Sequence, residues 1–157
     1  MGLTNKLTHQ KGHKFYFHVS VLIASLGGFL FGYDTAVISG AILFIKKQFV
    51  VSPFLEGMII SSLFLSAMIG APLGGTIADK IGRKKALIFA GILFLIGSLI
   101  MALALNIPIL ILGRVIAGLA LGTVSIISPL YISELSTSSN RGKMVTFNIL
   151  GITFGAL

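Results

Sequence analysis

GGFLFGYDTAVISG, residues 27–40, is an apolar stretch with a single acid, Asp34, near its middle. The chain stays hydrophobic on both sides, from Phe15 to Ile45, apart from His18 and a few small or hydroxyl residues. Roughly 20 apolar residues suffice to cross a bilayer, so this run reads as a first membrane span. A lone carboxylate at that depth costs at least ~2.5 kcal/mol and persists where it has a partner or a task. The obvious partner is Arg114, a base inside a later apolar run. Two readings of Asp34 follow. In one it binds a proton in a polar cavity, because desolvation favours a neutral carboxyl and a neighbouring cation favours an ionised one. In the other it is a structural acid, permanently paired. Arg114 has its own alternatives: facing the bundle, or snorkelling to the nearer interface.

Composition agrees with a membrane setting. The 157 residues are 55% hydrophobic and 10% charged, with a mean hydropathy of +1.03, whereas soluble domains carry about 25% charged residues. The first run is too long and too interrupted by glycine and acid for a cleaved signal peptide. With no cysteine there are no disulfides. A net charge of +8 would suggest nucleic acid in a soluble protein. Here the bases fall in short loops, where they set topology, so the expected partner is the lipid bilayer and not nucleic acid. An enzyme is not expected: His9, His13 and His18 all lie in or beside the tail, no serine has an evident base, and no catalytic or metal constellation stands out.

Residues 1–14 read as a polar, basic cytosolic tail, and 15–157 as a partial transmembrane bundle. The expected spans are about 15–45, 54–78, 86–105, 109–132 and an incomplete 144–157. A Ser52-Pro53 pair suits the start of the second span. Asn106, Ile107 and Pro108 make a turn so short that the third and fourth spans must be antiparallel neighbours. Fourteen residues of fifth helix reach about 21 Å, short of the ~30 Å hydrocarbon core. Lys6, Lys11, Lys14, Lys80, Arg83, Lys84, Lys85, Arg141 and Lys143 fall on one side and only Lys46 and Lys47 on the other. That asymmetry predicts a cytoplasmic N-terminus, in a plasma (inner) membrane protein. Glycine pairs four residues apart, Gly28/Gly32, Gly70/Gly74, Gly118/Gly122 and Gly151/Gly155, predict close helix crossings.

The polar stretch Gly75–Lys85, GTIADKIGRKK, follows a G-x-x-x-D-K-x-G-R-K pattern through Gly75, Asp79, Gly82 and Arg83. Read physically, its glycines permit a tight reversal in a loop over 79–85. Asp79 can accept from a helix N-terminus, and Arg83 can grip a carboxylate bidentately. A plain topogenic loop accounts for it equally well.

This loop resembles the signature loop of the major facilitator superfamily. Three further stretches resemble its sugar porter branch: residues 27–40, GRVIAGLALG at 113–122, and PLYISELSTSSNRGK at 129–143. The last fits P-x-Y-x-x-E then R-G through Pro129, Tyr131, Glu134, Arg141 and Gly142. The motifs occur in the family's order and cover almost the whole chain past the tail. The resemblance implies that Asp34 is the proton site and Arg114 its charge partner, where glucose facilitators usually carry asparagine in place of the acid. It implies that Phe31 lines the sugar cavity, and that Asp79, Arg83, Glu134 and Arg141 form a cytosolic charge network holding the transporter's halves together. It implies no cofactor, only the proton as coupling ion. Two positions depart from the family. Ile149 and Ala156 stand where cavity glutamines usually bond sugar hydroxyls, which changes what the cavity recognises.

The expected fold is an all-α integral membrane bundle of four complete and one partial transmembrane helices. It resembles the first part of the N-terminal six-helix half of a major facilitator transporter. The expected function is secondary active transport of a sugar or related polyol, by proton-coupled symport and alternating access. The alternatives are a truncated, non-transporting fragment of such a carrier, or a small oligomeric transporter. A closed cavity would need the remainder of the transporter or further copies.

Overall fold

The structure, a computed structural model, describes the backbone of residues 2–48, 51–135 and 141–157. It is built of five helices: α1 Gly2–Gln48, α2 Pro53–Ile81, α3 Arg83–Ala102, α4 Ile107–Leu135 and α5 Arg141–Ala156. Among the described residues there is no strand. Four of the helices, α1 to α4, are long and apolar enough to cross a membrane.

Helix ends follow local chemistry, and they correct several expected boundaries. The Ser52 hydroxyl accepts the Leu55 N–H at 3.3 Å, and Pro53 occupies the first position of α2. This is the favoured start, since a capping oxygen satisfies an orphan donor and proline has none to waste. Asn106 caps α4 the same way, its Oδ1 accepting from Ile109 N at 3.1 Å. The turn expected at 106–108 therefore lies two to three residues earlier, at 103–106, and Pro108 sits in the first turn of α4.

The expected loop over 79–85 is not a loop. Asp79 to Ile81 finish α2, Arg83 to Lys85 begin α3, and Gly82 alone separates them. Gly82 has φ +91°, a region that costs residues with a Cβ dearly. Its N–H still bonds Ala78 O at 3.0 Å, and its carbonyl accepts from Ala86 N at 3.1 Å, so both helices are terminated within one residue. Gly75 lies inside α2 in open space and contributes nothing to the reversal. At the other end of the chain, α1 runs back to Gly2 through the expected tail, in which no proline interrupts it. The tail's side chains lie outside the described residues.

Glycine seams hold the helices together. α4 packs along α2 and α3, while α5 packs on α1. At the α2–α4 crossing, a Cβ on Gly70 would strike the Leu119 backbone and one on Gly74 would strike Thr123. Reciprocally, Gly118 abuts Leu63 and Ser66, and Gly122 abuts Ala67. Thr123 Oγ1 crosses the same seam to donate to Gly70 O at 3.1 Å. At the α1–α5 crossing Gly32 lies on the Ile152 backbone, and Gly155 on the Phe29 backbone. Three of the four expected glycine pairs thus meet a neighbour through both members, and Gly28 is buried. Lipid tails are as apolar as leucine, so close van der Waals approach supplies the attraction that hydrophobicity supplies in water.

α4 is the most enclosed helix, with Ala117, Ala120, Leu121, Ile127 and Ile132 all buried. Large apolar side chains such as Phe54, Leu65, Met68 and Leu99 point outward instead. That pattern fits a hydrocarbon solvent. Pro72 in α2 and Pro129 in α4 sit inside their helices, a placement that membrane helices tolerate.

Candidate functional site

α1 and α4 bring the two charges of the membrane interior together. Arg114 Nη2 lies 3.7 Å from Asp34 Oδ2. Arg114 is 2% exposed and Asp34 8%. Arg114 therefore faces the bundle and does not snorkel. The separation is close enough for strong Coulomb attraction but too long for a hydrogen bond. Asp34 Oδ2 and Arg114 Nε make no hydrogen bond at all. The arrangement is an ion pair joined by its field alone, with a spare acceptor and a spare donor. A carboxyl so placed can exist charged, stabilised by the guanidinium, or neutral, relieved of desolvation.

A crevice of about 360 Å³ adjoins the pair. It runs along α1 from Leu30 to Ile45 and is walled by the last turns of α3 and the first turns of α4. Its lining is mostly apolar, and Ser98 of α3 is one of its few polar members beside the ion pair. α3 carries no motif that marks this face in the sequence.

Phe31 is half-buried and does not line that crevice. Its ring meets Phe64 of α2 edge-on, with centroids 6.4 Å apart. Ile149 is exposed on α5.

A second charge cluster sits where α2, α3 and α4 end together. Arg83 contacts Asp79 through Nη1 across the Gly82 turn. Its Nε donates to Glu134 Oε1 at 3.3 Å. The expected bidentate grip on one carboxylate is replaced by one bond to each of two, because Gly82 puts Asp79 one turn behind Arg83 while α4 delivers Glu134 from the side. Asp79 accordingly serves a guanidinium, not a helix N-terminus. The side chain of Arg141 lies outside the described residues. Sequence reasoning missed a third pair, Lys46 Nζ to Glu56 Oε2 at 2.6 Å, which clips the end of α1 to the first turn of α2. The signal was available: Glu56 is an acid three residues into a helix, opposite two lysines ending the previous one. All four acids of the chain are engaged in ion pairs.

Membrane-length helices seamed by glycine, a buried acid–base pair between two of them and a charge cluster tying three helix ends describe an integral membrane bundle of the kind implied by the motifs' resemblance to the major facilitator superfamily. Comparison with known proteins narrows this. The family model described as "Sugar (and other) transporter" matches residues 20–157, and the chain belongs to that family. It is similar to the glucose transporter GlcP of Staphylococcus epidermidis, with 43% identity over 136 residues, covering 87% of this chain and 30% of that one. It is similar to the galactose-proton symporter of Escherichia coli, with 43% identity over 135 residues, covering 86% and 29%. Among solved structures, the inward-open xylose transporter XylE from E. coli superimposes with a TM-score of 0.81 at 35% identity, covering 90% of this chain and 38% of that one. The chain thus corresponds to the N-terminal portion of a sugar porter, and spans about 30% of the length of such relatives. The family is one of transporters, not enzymes.

Proposed function

We propose that this chain carries the proton-coupling part of a sugar or polyol symporter that works by alternating access. Asp34 is the proton carrier, and Arg114 sets how readily it loads and releases. Phe31 and the Ile149 position belong to the substrate cavity. Asp79, Arg83, Glu134 and Arg141 form the conformational latch, set around the Gly82 turn of the signature motif that begins at Gly75. The N-terminus is cytoplasmic and the membrane is the plasma (inner) membrane, a reading supported by the nine-to-two distribution of loop bases.

The observation that carries this reading is the buried pair Asp34–Arg114, held at 3.7 Å without a hydrogen bond. A pair kept only for packing gains most from ideal, fully bonded geometry. One left with a free acceptor and donor keeps its protonation state adjustable. The names of two relatives, a glucose transporter and a galactose-proton symporter, support the substrate class and the coupling. A second reading, that the 157 residues alone do not transport, is favoured by their covering only about 30% of those relatives.

One experiment addresses both. Uptake of labelled pentoses, hexoses and polyols is measured in proteoliposomes of the chain, with and without an imposed proton gradient. Gradient-driven accumulation that Asp34→Asn removes, while exchange persists, is the expected mark of the symport reading. Accumulation untouched by Asp34→Asn sinks the proton assignment. Folded, inserted protein that takes up nothing supports the second reading.

A further inference from the structure

The bases around the Gly82 turn outnumber the acids that could answer them. Lys80 lies in the last turn of α2, and Arg83, Lys84 and Lys85 open α3. Against these four bases stand Asp79 and Glu134, and both carboxylates are taken by Arg83. The other two acids of the chain are engaged elsewhere, Asp34 by Arg114 and Glu56 by Lys46. Lys80, Lys84 and Lys85 are exposed, and among the described residues none of them joins an ion pair. Nor do the lysines serve α3 itself. Bases at a helix start face the positive end of its dipole, and the first turn of α3 holds no acid.

Away from the lysines, α3 is sorted by size. Its buried residues are small: Ala86, Ala90 and Gly97. Gly97 lies against the Gly113 and Ala117 backbone of α4. Its large apolar residues are turned the other way, and Ile88, Phe89, Ile92 and Ile96 are all exposed. Residues three and four apart share a helix face. Lys84 therefore stands in line with Ile88 and Ile92, and Lys85 with Phe89, Ile92 and Ile96. The rise from Lys85 to Ile96 is ~16 Å at ~1.5 Å per residue, against ~15 Å for half of a hydrocarbon core. The strip is one leaflet deep, and uncompensated positive charge sits at its headgroup end.

We propose that this rim binds an anionic phospholipid, with an acyl chain laid along Ile88, Phe89, Ile92 and Ile96 and the phosphate among Lys80, Lys84 and Lys85. A phosphodiester supplies the negative charge that the chain lacks, at the depth where the apolar strip ends. A soluble anion has no part that gains from the strip. Lysine suits the task, because its ammonium meets phosphate as a point charge on a flexible stem. Each such base near a bilayer surface adds roughly a fivefold attraction to anionic lipid. A zwitterionic lipid offers the same acyl chain, but its headgroup cation is repelled by the lysines. The two compete for this strip, and the anionic one is favoured. The site is independent of the Asp34 assignment and of which membrane face the turn occupies.

The absence of cysteine makes a clean test possible. A fluorophore is attached at Ile92→Cys, inside the strip, or at Leu103→Cys, an exposed position at the far end of α3. The labelled chain is reconstituted in bilayers that mix phosphatidylcholine with phosphatidylglycerol. Bromine on the acyl chains of one lipid or the other quenches the label, and the two series give the relative affinity at each position. Phosphatidylglycerol should be favoured at least about fivefold at Ile92→Cys and not at Leu103→Cys. The preference should disappear in the triple variant Lys80→Gln, Lys84→Gln, Lys85→Gln and survive in Lys80→Arg, Lys84→Arg, Lys85→Arg. It should also shrink at high salt, where the Debye length falls to ~3 Å. Quenching by brominated phosphatidylcholine, retained in the Gln variant, reports that it is inserted. Equal affinity for both lipids at Ile92→Cys overturns the site, and so does the same preference at both labels. A preference that persists in the Gln variant assigns it to charge elsewhere and overturns the site too. A label that neither lipid quenches shows that protein, such as a second copy, covers the strip, and no lipid site remains.

Discussion

The pairing of Asp34 with Arg114 was legible because Asp34 lies in the middle of the first apolar run and Arg114 is the one base within a later one, and uncompensated charge is costly there. Its geometry was not legible. Whether two charges meet at hydrogen-bond length or stop at 3.7 Å depends on how α1, α3 and α4 pack, and no residue pattern encodes that gap. The crevice was invisible for the same reason. Ser98, Met101 and Ala102 read as ordinary span residues until α3 is laid against its neighbours. The pair's energetics make a prediction at this scale. Removing one member strands the other's charge in an apolar interior, which costs about 3–5 kcal/mol for buried pairs. Arg114→Leu should therefore destabilise the chain strongly against SDS unfolding followed by circular dichroism. Arg114→Leu combined with Asp34→Asn should recover most of the loss. A double variant as unstable as the sum of the two single ones would mean that the charges do not compensate each other.

The helices themselves were read well in number and order and poorly at their ends. Charged residues mark where a chain leaves hydrocarbon, not where a helix stops. Asp79, Lys80, Arg83, Lys84 and Lys85 read as a loop in the sequence, yet all are helical, and one glycine makes the whole reversal. Gly82→Ala puts a Cβ at φ +91° and should cost about 1–2 kcal/mol. Gly75→Ala, seven residues away inside α2 with open space around it, should be neutral or slightly stabilising. Both are read in the same SDS titration, and equal effects would remove Gly82 from its special place. The seams were better signalled, since small residues four apart have few other uses on a membrane helix. Gly122→Val would drive a branched side chain into the Ala67 backbone and should pull α2 off α4. Gly91→Ala, on α3 with nothing nearby, should be tolerated. Loss of a crosslink between cysteines placed across the α2–α4 seam, seen with Gly122→Val and not with Gly91→Ala, is the outcome that follows.

At the scale of the whole bundle, two kinds of attachment differ in what they do. Glycine seams join α2 to α4 and α1 to α5 through the interior. Ion pairs clip the ends: Lys46 to Glu56 where α1 meets α2, and Arg83 to Asp79 and Glu134 where α2 and α4 finish and α3 begins. The end pairs are partly exposed, and exposed pairs contribute little to stability and are screened by salt. They suit a latch, which must open, where the seams suit a rigid body, which must not. The two roles separate under salt. With a Debye length near ~3 Å at 1 M ionic strength, the SDS unfolding of the native chain should hardly move, because the seams are indifferent to salt. Glu134→Gln should likewise leave unfolding nearly unchanged. It should, however, raise amide exchange at the Arg83 end of α3 and the Leu135 end of α4 at low salt, and that difference should vanish at high salt. A large drop in global stability for Glu134→Gln would mean that the bundle is held at its rim. The Arg83 cluster would then be a structural brace, and the part of the proposed mechanism that requires it to let go would have no physical basis.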